Sequence, residues 1–141
     1  MIERLNPPTL AAPSGFSHAV RVRGTAIFLA GQTGMDASGR TVEGGIVAQF
    51  ERALANLIMA LEAAGGRPDQ LAQVTIYIVD VPAYKAAAGQ IGEVWRRLAG
   101  RDYPAMAGIG VARLWDDDAL VEIAGVAVLP DEPTDEPTSA W

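Results

Sequence analysis

The stretch Tyr103-Pro104-Ala105-Met106-Ala107-Gly108-Ile109-Gly110-Val111-Ala112-Arg113-Leu114 decides the fold, read with the run Leu120-Val121-Glu122-Ile123-Ala124-Gly125-Val126-Ala127 that follows it. Both read as strands, about 107–114 and 120–129, with Trp115 to Ala119 turning between them. Side chains on a strand alternate faces. Met106, Gly108, Gly110 and Ala112 therefore share one face, and Ile109 and Val111 share the other with a core-like character. The glycines leave room on the first face, either for tight packing between subunits or for a ligand cavity. Glu122 has Leu120, Ala124 and Val126 as its face neighbours, all apolar. A carboxyl in that company suits the orientation or deprotonation of a water. It suits equally a structural role on backbone amides.

Upstream, Ser17 to Val22 and Thr25 to Ala30 read as two strands, with Gly24 between them as a tight hairpin wants. Residues 31–45 are rich in Gly, Asp and Ser and read as loop. Ile46, Phe50, Ala53, Leu54, Leu57, Ile58 and Leu61 recur at helical spacing, and Gly65-Gly66 stops that helix. Leu71 to Val79 is a β-branched strand. A second helix starts near Pro82, with Tyr84, Ala88, Ile91, Trp95 and Leu98 as its apolar stripe. Gly89 and Gly92 interrupt it, as glycines do where a neighbour approaches closely. The order is β-β-α-β-α-β-β, with a possible further strand at Ile2 to Leu5. This is an α/β (α+β) pattern, a mixed sheet with two helices packed on one face.

The chain has 141 residues, half of them apolar, which suits one domain over 1–129. The remainder, 130–141, repeats Asp-Glu-Pro-Thr and has too little apolar surface to fold alone. The net charge is −6, and Asp131, Glu132, Asp135 and Glu136 lie in that acidic, Pro-rich tail; without them the body carries −2. A near-neutral body offers no footprint for nucleic acid. There is no cysteine, which removes disulfides, a thiolate nucleophile and thiolate metal sites. No apolar run is long enough for a membrane span, and the first residues lack a signal-peptide core. A soluble, cytoplasmic protein is expected. The lone His18 reads as a hairpin residue rather than a base, and Asp116-Asp117-Asp118 as a solvated turn.

Several pieces, in order, resemble the reactive-intermediate deaminase (Rid, or YjgF) family. Phe16-Ser17-His18-Ala19-Val20 is similar to its Tyr-Ser-Gln-Ala-Val opening strand. Ala30-Gly31-Gln32 is similar to its Ser-Gly-Gln. Ala63-Ala64-Gly65 closes the first helix as the family does, and residues 120–127 resemble its closing strand. The resemblance implies a chorismate-mutase-like fold, a homotrimer with small-molecule clefts between subunits, and hydrolysis of enamines or imines without metal or organic cofactor.

The departures are as informative. Met106 stands where the resemblance implies the arginine that grips the substrate's carboxylate. Gly108 replaces a frequent cysteine, Phe16 a tyrosine, Ala30 a serine and Ala124 a glutamate, and a helix asparagine falls near Gly89. Glu122 alone remains of the polar set. Two charge-assisted hydrogen bonds are worth about 1.5–3 kcal/mol each, so their loss weakens carboxylate binding by about two to four orders of magnitude. Methionine donates nothing and prefers apolar company. The expectation is an apolar cleft lined by Phe16, Ala30, Gly31, Gln32, Gly89, Met106 and Gly108, with Glu122 its sole ionisable wall. It would take a largely neutral or apolar metabolite, for hydrolysis, proton transfer, condensation or cyclisation, or for binding without turnover. Arg113, seven residues after Met106, falls on the opposite face by alternation.

Overall fold

A computed structural model describes residues 1–132. Strands β1 (Ile2–Leu5) and β2 (Ala19–Val22) form an antiparallel pair. The main sheet has four strands in the order β3-β6-β4-β5, with β3 at Gly24–Thr33, β4 at Leu71–Ile78, β5 at Ala105–Gly110 and β6 at Val121–Pro130. β6 runs antiparallel to both β3 and β4, whereas β4 and β5 are parallel. Parallel neighbours need a crossover, and helices α2 (Val81–Ala86) and α3 (Ala88–Ala99) supply it.

Helix α1 (Gly45–Ala63) joins β3 to β4 and buries Phe50, Ala53, Leu54, Leu57, Ile58 and Leu61. This is the stripe that the helical spacing picks out. Gly65, at φ +86, turns the chain out of the helix, and the Gly66 amide donates to the Leu61 carbonyl. The second helix is broken at Ala87 into α2 and α3. The Asp80 carboxylate caps α2 by accepting from the Ala83 amide. Ile91, Val94 and Trp95 carry the buried face of α3.

The helices cover one face of the sheet, where Val74, Ile76, Ile78, Val121, Ile123 and Ala127 meet them in the core. The other face is open. It carries Thr75 and Tyr77 on β4, Glu122, Ala124 and Val126 on β6, and Phe28, which is 81% exposed, on β3.

Three sequence expectations are corrected here. β2 and β3 are not a hairpin: β2 pairs with β1, and Gly24 starts β3 opposite Pro130, with Leu129 crowding its α-carbon. The Ile2–Leu5 strand, with β2 as its partner, makes that separation possible. β5 is shorter than the apolar run and ends at Gly110, because the chain then leaves the sheet after one further amide, that of Val111, donates to Ile78. The two faces of β5 are also reversed in character. Parallel pairing sets Met106, Gly108 and Gly110 beside Val74, Ile76 and Ile78 on the helix face, while Ile109 lies on the open face and is 42% exposed. Of the proposed tail, Pro130 completes β6, and residues 133–141 lie outside the described residues. Among the described residues, no helix is long and apolar enough to cross a membrane.

Candidate functional site

Glu122 stands in β6, paired with Thr33 on one side and Tyr77 on the other. It points to the open face, since Val121 and Ile123 on either side of it are fully buried toward the helices. The neighbouring strand is irregular at this level. Leu29 pairs with Gly125 and Gln32 with Ile123, so Ala30 and Gly31 together face the single residue Ala124. This is a β-bulge, a device that bends a strand and re-aims side chains. It sets Gly31 against the Glu122 side chain: a Cβ built on Gly31 would lie 2.9 Å from the Glu122 carboxyl carbon and 3.0 Å from Oε2. Gly31 and the Glu122 carboxyl are therefore direct neighbours.

Gln32 does not join them. It lies beyond the bulge and lines a shallow groove with Arg52 and Asn56 of α1. Arg52 and Asn56 both donate to the Met35 carbonyl there, which fixes the loop after β3.

Met106 is on the other side of the sheet. It lines a cavity of about 330 Å³ between the sheet and the crossover helices, with Phe50, Ile76, Ile91 and Trp95 as apolar walls. Ser14, Gly15 and Tyr103 also border it. The Ser17 amide donates to the Pro104 carbonyl and its hydroxyl to the Tyr103 carbonyl, so the segment before β2 is tied alongside β5. Trp95 stacks on Tyr103 at 6.4 Å between ring centres. Tyr84 borders the cavity from α2, and burial pushes its phenol up to about 12.

Within the chain, then, Met106 and Glu122 occupy opposite faces of the sheet. Of the ionisable residues, Arg96, Tyr84 and Tyr103 line the Met106 cavity, and Glu122 does not. Position 96 escaped the sequence reading, which looked for a replacement cation downstream, at Arg113. Arg113 is exposed, beyond the end of β5, and does not line the cavity. The signal that could have found Arg96 is Gly92, one helical turn earlier, which clears space under its guanidinium.

The other expected residues are scattered. Gly108 is exposed on the helix face of β5, with the Ile78 side chain 3.8 Å from where its Cβ would be. Gly89 faces open space: a Cβ there would meet nothing within 4 Å. Phe16 packs edge-on against His18 at 5.1 Å, and His18 Nε2 is 2.8 Å from the Ala11 carbonyl oxygen. That arrangement ties down the opening segment. No group of His, Cys, Asp and Glu among the described residues has the spacing of a metal site.

Comparison with known proteins adds a lineage to this geometry. A family model described as Endoribonuclease L-PSP matches residues 7–129. A 2-iminobutanoate/2-iminopropanoate deaminase of Capra hircus is 35% identical over 119 residues, covering 84% of this chain and 82% of the relative. A RutC family protein of Pyrococcus abyssi is 33% identical, covering 79% of this chain and 84% of the relative. Among solved structures, YyfB of Yersinia pestis, a Rid-family protein described as of unknown function, superposes with a TM-score of 0.80. It is 37% identical, and the match covers 91% of this chain and 98% of that one.

Proposed function

The chain belongs to the Endoribonuclease L-PSP family, the Rid (YjgF) proteins, and on that premise we propose that it binds a small metabolite with a substantial apolar body and hydrolyses a C=N bond in it. The observation that carries this reading is the seat of Glu122, an acid on a half-buried sheet face with its carboxylate laid against the bulge at Gly31. In the proposed reaction Glu122 holds a water and takes its proton as the oxygen adds to the carbon of the protonated imine, giving a neutral carbinolamine. Glu122 returns that proton to the nitrogen, the C–N bond breaks to release ammonia, and the carbinol O–H proton passes back to Glu122 as the carbonyl forms.

Met106 and Glu122 lie on opposite faces, so they meet only if different subunits supply them. A closed ring, such as the trimer implied by the family resemblance, would set the open face of one copy against the cavity side of the next. The exposed apolar residues Phe28 and Ile109 on the open face support an assembled state. The near-neutral charge of the body favours a small-molecule substrate over RNA. Small 2-imino acids are poor candidates, because Met106 cannot donate to a carboxylate.

The test is turnover of a panel of enamines and imines by the purified protein and by Glu122→Gln. Loss of turnover in the variant supports the mechanism; undiminished turnover removes Glu122 from it. A second reading is favoured by the apolar replacements at Phe16, Ala30, Met106 and Ala124: binding without turnover. Ligand-induced thermal shifts with no product from any compound in the panel would establish that reading instead.

A further inference from the structure

The Met106 cavity has apolar walls and one cation. Arg96 projects from the exposed side of α3, yet its guanidinium folds back over the helix rather than outward. A Cβ on Gly92 would lie 3.1 Å from Arg96 Nη1 and 3.9 Å from both Cζ and Nη2. Residues four apart are neighbours on a helix, and a Cβ at position 92 would press on the guanidinium where it rests, so that it would have to give by a few tenths of an ångström. Gly92 and Arg96 both border the cavity.

The adjacent Arg97 behaves differently. It points to α1 and pairs with Glu51. Arg96 makes no ion pair or hydrogen bond among the described residues. Trp95, next to Arg96 on α3, carries a second group without a partner. Trp95 walls the cavity and is 5% exposed, and its indole N–H, buried, has no acceptor among the described residues. Buried donors without acceptors are rare in folded proteins, and this one belongs to a residue of the cavity wall that is next in sequence to Arg96.

We propose that Arg96 is the anion anchor of the Met106 cavity, holding the carboxylate of a ligand whose flat apolar body lies against Met106, Ile91 and Trp95. The proposal rests on the small-molecule reading above and narrows its substrate class. The cation has moved from the strand to the rim formed by α3. A short 2-imino acid reaching Arg96 would leave the Met106 wall uncovered. An acid with an aromatic or branched body fills both. Guanidinium presents a planar fork that matches a carboxylate, and the nearby Tyr84 hydroxyl, protonated at neutral pH, is available as a further donor.

The test uses stable probes and needs no turnover. Phenylacetate and its neutral analogue phenylacetamide are titrated calorimetrically into the intact protein, into Arg96→Gln and into Arg97→Gln. The expected result is that the wild type binds the acid about tenfold more tightly than the amide, the scale of a partly solvated charge-assisted contact. Arg96→Gln removes that preference, and Arg97→Gln, with the same change in net charge, keeps it. No acid preference in the wild type, or a preference that survives Arg96→Gln, overturns the proposal. Equal loss in both variants also overturns it, because a diffuse surface charge would then explain the effect. Failure here is distinguishable from failure of the hydrolytic reading. If Glu122→Gln abolishes enamine turnover while Arg96→Gln retains the acid preference, the anchor alone is wrong. If the anchor holds and no C=N compound turns over, the hydrolysis alone is wrong.

Discussion

The Glu122 carboxyl carbon lies 2.9 Å from the point a Cβ on Gly31 would occupy, closer than real Cβ atoms come to any neighbour. Glycine at position 31 is thus the condition for the carboxylate's present seat. Gly31→Ala is expected to fold, because the displaced group is the far end of a flexible side chain rather than backbone. It should nonetheless move the carboxylate by a fraction of an ångström or more. Misplacements of that order lower rates by roughly ten- to a hundredfold. Parallel measurement of kcat on a cleavable enamine and of thermal stability checks this. A drop in kcat with a nearly unchanged Tm is the expected result; unaltered kcat means that the seat does not matter.

The fold was legible because its signals are local. The 3.6-residue stripe from Ile46 to Leu61 and the β-branched run at Leu71 to Val79 each specify their element without outside help. What was not legible depended on partners distant in sequence. Gly24 looks like a hairpin turn until β6 is seen to lie beside it, and the bulge at Ala30-Gly31 exists only relative to Ala124. Strand alternation correctly grouped Met106 with Gly108, yet it could not say which face the helices would cover. For that reason Ile109 was read as core and is exposed. Arg96 was missed because its position over Gly92 is a property of side-chain direction, which spacing alone does not reveal.

Gly125 sits in the middle of the sheet, where β6 is flanked by β3 and β4. A Cβ there would lie 2.6 Å from the Gln73 carbonyl oxygen and 3.2 Å from Val74 Cγ2. Neither the backbone oxygen nor the fully buried Val74 can give way cheaply. Gly125→Ala is expected to destabilise by about 2–4 kcal/mol, in the range of overpacked core sites. Denaturant unfolding with an unchanged m-value checks it, and a loss below about 0.5 kcal/mol would contradict the close packing described.

Met106 borders a cavity of about 330 Å³, which has room for a longer side chain. Met106→Arg would restore a bidentate donor on the strand. Affinity for a short 2-oxo acid such as pyruvate, a stable mimic of a small imino acid, should rise by about ten- to a hundredfold. The effect should be larger when Arg96 is also changed to glutamine, since two guanidinium groups in one cavity repel each other. Calorimetric titration of the single and double variants measures both terms. No gain in either variant would mean that the thioether is not what excludes small acids.

Tyr84 gives the molecule a recognisable alkaline response. Its phenol, packed edge-on against Phe50 at 6.1 Å, is pushed by burial from 10.0 up to about 12. The unfolded chain therefore releases this proton first. Between the two values the unfolded state binds fewer protons than the folded one, so stability declines as pH rises through this window. Below pH 10 the contribution is fully present. Tyr84→Phe removes the titration, and its stability should fall less steeply than that of the wild type from pH 10 to 12. Chemical denaturation at a series of pH values compares the slopes. Ultraviolet titration of the folded protein should also show one phenol fewer ionising near 12 in the variant; a variant that instead lacks a phenol ionising near 10 would show that this hydroxyl is not held back by the fold.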